Sequence, residues 1–204
     1  AKLAMLTGRP VKLLYTREEV FYSHRGRHPM KMHFRLGAKA DGRLTGCDAK
    51  TLIDGGAYAS FGLVTAYYSG QLVTAPLRLG AYRLDSTRVY TNKPACGPKR
   101  GHGSVQPRFA FEVSVDKLAE KLALDPIELR RRNVIEPGER TINEFVIKSI
   151  GFRECLDRVE QSSGWKEKFR KLPYGRGVGV AGSFYISGTN YPIYPNAMPQ
   201  SAVQ

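Results

Sequence analysis

The chain has 204 residues, 42% of them hydrophobic, and carries 32 Lys and Arg against 18 Asp and Glu, a formal net charge of +14. That composition excludes a disordered chain and is long enough for one large domain or two small ones. No apolar run approaches the roughly 20 residues of a membrane span, and no signal-peptide pattern is present. The sequence starts at Ala1 without methionine and breaks off at Gln204 in a polar-apolar alternation, so it reads as an internal fragment of a longer chain.

The basic excess admits nucleic acid, an anionic cofactor or substrate, or acidic segments elsewhere in a longer polypeptide. The cations are dispersed; Arg130-Arg131-Arg132 is the one run, placed late in an expected helix where it suits the macrodipole. RNA-binding signatures and Cys/His finger spacings are lacking, which disfavours nucleic acid. Cys47, Cys96 and Cys155 are far apart and odd in number. They argue against a disulfide framework or zinc ribbon and suit a reducing cytoplasm. Cys47 and Cys155 read as small apolar fillers; Cys96 sits in a glycine-rich turn.

In chain order, residues 9–16 (RPVKLLYT) read as a buried strand. Residues 30–53 form a hairpin turning at Asp41-Gly42. Residues 54–62 (DGGAYASFG) make a glycine-rich corner, and 84–92 another strand. From Gln106 the period becomes helical to about Leu124, with Phe109, Val113, Leu118 and Leu122 as the apolar face and Ala110, Val115 and Ala119 between them. A second helix follows, with Asp125 as N-cap, Pro126 at its first position and Glu128 completing a capping box. The chain is then loop-like to about Lys148. Residues 152–162 form a helix facing inward through Phe152, Leu156 and Val159. Residues 175–186 read as a strand and 189–199 as a Pro-rich aromatic loop. Strands, hairpin and helices together suggest an α+β fold.

Three motifs invite chemistry. Gly177, Gly179 and Gly182 match the dinucleotide fingerprint G-x-G-x-x-G, but the motif runs into a strand-like stretch instead of opening a helix, so the glycines serve sheet packing. His24, His28 and His33 have no carboxylate or cysteine at matching spacing and read as surface and turn histidines, not metal ligands. Neither a Ser-His-Asp arrangement nor a G-x-S-x-G elbow is visible. The third motif is CGPKRGHGSVQ, residues 96–106. A glycine-rich turn entering a helix offers free N–H groups and a dipole that favour an anion. Arg100 adds a fork of donors, and Gly101 and Gly103 allow close backbone approach. The same residues also suit a purely structural turn with a solvated Lys-Arg pair.

TGRPVKLLYTREEVF, GRHP, DGGAYAS, YTNKPACGPKRGHG and LDPIELRRRNV occur in one order and spacing. This series resembles the molybdenum-binding large subunit of the xanthine dehydrogenase/aldehyde oxidase family over essentially the whole chain. The resemblance implies part of a molybdopterin-binding domain: 1–92 mainly strands and hairpin, 93–165 the cofactor-side turn and helices, 175–204 the start of a strand-rich segment. It implies cofactor contacts from Lys99, Arg100, Gly101 and Gly103 and a substrate contact from His102. Gln106 and Glu112 also fall on family positions. The implied cofactor is molybdenum with molybdopterin of the cytosine dinucleotide type. Iron–sulfur clusters and FAD would lie on partner subunits of a dimer of heterotrimers.

Lys99 and His102 depart from the usual apolar residue and phenylalanine, and 72–75 lacks the arginine of purine-oxidising members. Within the family the sequence is most similar to the 4-hydroxybenzoyl-CoA reductase branch. The resemblance therefore implies reductive dehydroxylation of an aryl-CoA thioester, with oxidation of aldehydes or N-heteroaromatics as the alternative. A basic binding module without catalysis is the competing class. The family's catalytic glutamate and its other pterin loops have no counterpart within 1–204, so no catalytic residue and no protein metal ligand is assigned.

Overall fold

A computed structural model describes residues 1–185. In chain order it holds α1 (Lys2–Thr7), α2 (Arg17–Ser23), β1 (Met30–Ala38), β2 (Leu44–Asp54), α3 (Gly62–Gln71), a 3-10 turn (Leu72–Thr74), β3 (Tyr82–Val89), α4 (Val105–Lys121), α5 (Pro126–Asn133), α6 (Phe152–Ser163) and α7 (Trp165–Lys168). The α+β expectation holds.

The expected hairpin is β1 and β2, antiparallel, with Phe34 opposite Ala49 and Leu36 opposite Cys47. Its turn closes through Gly42 N–H to the Lys39 carbonyl at 2.9 Å, with Gly42 at φ +88°, a left-handed conformation that glycine adopts without a Cβ penalty. Asn133 at the end of α5 fastens this turn. Its Nδ2 donates to the Gly42 carbonyl at 2.8 Å and its Oδ1 accepts from Leu44 N at 2.9 Å. Strand β3 pairs parallel to β2, giving the order β1-β2-β3. Parallel neighbours need a crossover, and α3 supplies it. Gly70 of α3 lies against β3 so closely that a Cβ there would come within 2.1 Å of Leu84 Cδ2.

One face of the sheet is buried. Leu44, Cys47 and Ala49 of β2 pack with Phe111, Val115 and Ala119 of α4 and with Leu129 of α5. The other face carries Lys31, His33, Lys50 and Asp85, all exposed. A second cluster joins Ile127, Val134, Leu156 and Trp165, with Val178 and Val180 laid against it.

Several expectations are corrected. Residues 9–16 form no strand. Among the described residues they have no strand to pair with, and Leu13 and Leu14 are 74% and 79% exposed. Residues 175–185 also lie outside any strand, with Val178 and Val180 packing on the helices instead; residues 186–204, and with them the Pro-rich loop, lie outside the described residues. The buried stripe of α4 is Arg108, Phe111, Glu112, Val115 and Ala119, whereas Phe109 is 69% exposed. Asp125 does cap α5, accepting from Ile127 N and Glu128 N, but the Glu128 carboxylate takes Arg131 and Arg132. The reciprocal capping box stands at α2, between Thr16 and Glu19. Cys155 is exposed, while Cys47 and Cys96 are buried.

Candidate cofactor-facing turn

The turn 96–104 runs between β3 and α4. Gly101 and Gly103 both have φ +76°. A Cβ on Gly103 would lie 2.8 Å from Tyr68 Cβ and 2.9 Å from the Thr65 carbonyl; one on Gly101 would lie 2.5 Å from Val105 Cγ2. The space freed by these glycines is thus filled by α3 and by α4 itself.

Other elements hold the turn from behind. Gly97 N–H donates to the Gly26 carbonyl and Cys96 N–H to the Gly55 carbonyl. Arg27 donates to the Arg100 carbonyl at 2.7 Å. Gln106 Nε2 donates to the His28 carbonyl at 2.6 Å. Just inside α4, Arg108 donates to the carbonyls of Leu72 (2.7 Å) and Ala75. Segment 72–75 is therefore buried core and presents no side chain outward.

His102 turns inward. It is 8% exposed, and its Nε2 lies 2.5 Å from the Thr65 hydroxyl. That hydroxyl also lies 3.4 Å from His28 Nδ1 and 3.2 Å from the Phe61 carbonyl. The two imidazoles stack with centroids 6.2 Å apart, and Tyr68 meets His102 edge-on. Burial, with Arg88 and His102 nearby, pulls His28 down to about 4. Burial and Arg27 lower His102 as well. Both rings are neutral near pH 7.

Beneath α4 lies a buried ionic network. Arg130 is fully buried. It donates to Glu112 through Nε (2.9 Å) and Nη2 (2.7 Å), and to Asp116 through Nη1 (2.7 Å). Glu112 also accepts from Gly182 N at 2.9 Å and lies 3.5 Å from Arg108. Glu112 is thus a structural counter-ion in this chain.

The cations face the other way. Arg100 is exposed within a partly buried turn, because its carbonyl and not its guanidinium is held by Arg27. It has no ion-pair partner among the described residues. Lys99 is half-buried, with Nζ against His24 Nε2. The α4 N-terminus lacks a side-chain cap; Ser104 donates instead to the Gly101 carbonyl. The exposed Arg100 guanidinium beside an uncapped helix start suits an anionic group. His24, His28 and His33 are not brought together: His24 sits by Lys99, His28 is under α3, and His33 is on the outer face of β1. Sequence reasoning missed Thr65, Arg108 and Arg27. Nothing local to them marks them out.

Residues 1–134 match the family model for the molybdopterin cofactor-binding domain. The chain is 35% identical over 194 residues to the xanthine dehydrogenase molybdenum-binding subunit of Escherichia coli, covering 92% of this chain and 26% of that protein. It is 34% identical over 164 residues to the nicotinate dehydrogenase large molybdopterin subunit of Eubacterium barkeri, covering 80% of this chain and 39% of that one. Among solved structures it is similar to the aldehyde oxidoreductase of Desulfovibrio gigas, with TM-score 0.72 and 31% identity over 82% of this chain and 19% of that one. The chain thus spans a quarter to two-fifths of the length of these two curated relatives. Among its described residues no helix is long and apolar enough to cross a membrane.

Proposed function

Because the chain belongs to the molybdopterin cofactor-binding domain family, we propose that it forms one wall of the cofactor site in the large subunit of a molybdenum oxidoreductase. Arg100 and Lys99, with the backbone at Gly101 and Gly103, hold the cofactor's anionic groups, and His102 lies on the substrate side. The bound cofactor, of the cytosine dinucleotide type, supplies the molybdenum redox centre. Partner subunits carrying iron–sulfur clusters and FAD exchange its electrons in a dimer of heterotrimers. The observation that carries this reading is the pair of cations beside the uncapped start of α4, Arg100 among them without an acidic partner.

The reaction is oxidation of an aldehyde or an N-heteroaromatic ring. The names of the relatives favour it: a nicotinate dehydrogenase and an aldehyde oxidoreductase stand among them. Reductive dehydroxylation of an aryl-CoA thioester is the second reading, favoured by His102 where a phenylalanine is usual. The absence of an arginine at 72–75 speaks against a purine.

The test uses the full-length protein in its complex. Arg100→Ala removes a charged hydrogen bond, about 1.5–3 kcal/mol. It should lower bound molybdenum and pterin at limiting cofactor by about ten-fold or more, while the melting temperature stays put because the side chain is exposed. Unchanged cofactor content would overturn the reading. Turnover of aldehydes and heteroaromatics with an electron acceptor, against 4-hydroxybenzoyl-CoA with reduced viologen, separates the two reactions.

A further inference from the structure

The Thr65 hydroxyl has one proton and two lone pairs, and it has three neighbours: the Phe61 carbonyl at 3.2 Å, His102 Nε2 at 2.5 Å and His28 Nδ1 at 3.4 Å. A carbonyl can only accept, so the one arrangement that fills all three contacts has the hydroxyl donating to Phe61 and both ring nitrogens donating to the hydroxyl. Thr65 is fully buried, and the rings are 8% and 2% exposed, so water has little access to replace a missing partner. His28 Nε2 is buried with no partner among the described residues. A bare lone pair is what this arrangement leaves there.

We propose that Thr65 is a positioning residue that fixes His102 as the Nε2–H tautomer, so that Nδ1 is a hydrogen-bond acceptor and selects a substrate carrying an N–H or O–H donor. The inference rests on the reading of His102 as the substrate-side residue of the turn. Depressed proton affinity of both rings keeps the arrangement neutral at physiological pH. The side chain one turn further along α3, Tyr68, meets the ring edge-on at 6.2 Å and limits its rotation. A donor-bearing heteroaromatic would therefore be favoured over a simple aldehyde, whose oxygen only accepts.

The experiment uses full-length protein with ring-15N histidine, the His102 signals being identified by their loss in His102→Gln. In the wild type and in Thr65→Ser, Nε2 should be protonated and Nδ1 bare. In Thr65→Val the two tautomers should mix. In the loaded complex, Thr65→Val should raise KM several-fold for an N–H-bearing heteroaromatic, leave KM for an aldehyde unchanged, and be rescued by serine. Protonated Nδ1 in the wild type overturns the proposal. So does a Thr65→Val protein with the wild-type ring pattern, or an equal rise in KM for both substrate classes. If the valine variant does not fold, the wild-type ring nitrogens decide. A protein that binds no molybdopterin yet shows the Nε2–H tautomer defeats the functional reading and leaves the tautomer assignment standing.

Discussion

Removing the Arg130 guanidinium should be among the most damaging single changes outside the apolar core. The side chain is fully buried and donates to Glu112, Asp116 and the Pro126 carbonyl, all within 3.0 Å. In Arg130→Met the hydrocarbon volume is roughly kept, but Glu112 remains 5% exposed with Arg108 at 3.5 Å as its nearest cation. Breaking a buried pair by deleting one partner costs about 3–5 kcal/mol. Because Arg108 compensates in part, the lower end, about 3 kcal/mol, is expected. Equilibrium urea unfolding should show the midpoint falling with little change in slope. Glu112→Leu alone should also cost several kcal/mol, since Arg130 then keeps only Asp116 as a charged partner. The double variant should lose about 1–3 kcal/mol less than the sum, the coupling expected of residues in one network. If Arg130→Met costs under about 1 kcal/mol and the pair is additive, the network behaves like a surface bridge and the reasoning from burial is wrong.

Gly103→Ala places a Cβ at φ +76° against Thr65 and Tyr68 and should cost about 2–4 kcal/mol, read as a lowered urea midpoint together with reduced cofactor content. His28 is held down to about 4 by burial, so the unfolded chain binds more protons than the native one between about pH 6.5 and 4. Stability should therefore fall by about 2–3 kcal/mol as pH drops through that window and then level; a His28→Gln protein with the same slope would refute the assignment. Asn133→Ala should cost about 1–3 kcal/mol by leaving the Leu44 N–H and Gly42 carbonyl without partners, and hydrogen exchange at Leu44 should quicken.

What the sequence shows well is what its neighbours along the chain determine. Asp41-Gly42 dictates the hairpin, and Asp125-Pro126 dictates the start of α5. Helix α3 is hidden because Gly62, Thr65, Tyr67, Tyr68 and Gly70 are weak helix formers; the crossover between parallel strands, a tertiary demand, makes the helix. Residues 9–16 look like a buried strand because a short apolar run is local and says nothing about a pairing partner. The inner stripe of α4 is easily misread because its buried members include Arg108 and Glu112, and a hydrophobicity pattern sends charged residues outward. The cofactor-side turn is legible as a Gly-rich helix entry. The residues that support it are not, since Thr65 and Arg27 meet it only through contacts 37 and 73 residues apart in sequence.

Those contacts explain how an exposed arginine can belong to a well-defined site. The inward polar interactions of the turn go to its own chain: Arg27 takes the carbonyl of Arg100, Gly26 the N–H of Gly97, and Thr65 the ring of His102. The backbone is thereby fixed before any ligand arrives, and the ordering cost of the loop falls on folding, not on binding. The Arg100 side chain is left as the free group on a rigid base. An anion meeting it has only that one side chain to immobilise, about 0.5–1.5 kcal/mol of lost rotamer freedom, against a charge-assisted hydrogen bond of about 1.5–3 kcal/mol. The balance favours binding without any help from deep burial, so exposure of Arg100 in this chain is compatible with a cofactor contact in a way that a mobile loop carrying the same residue would not be.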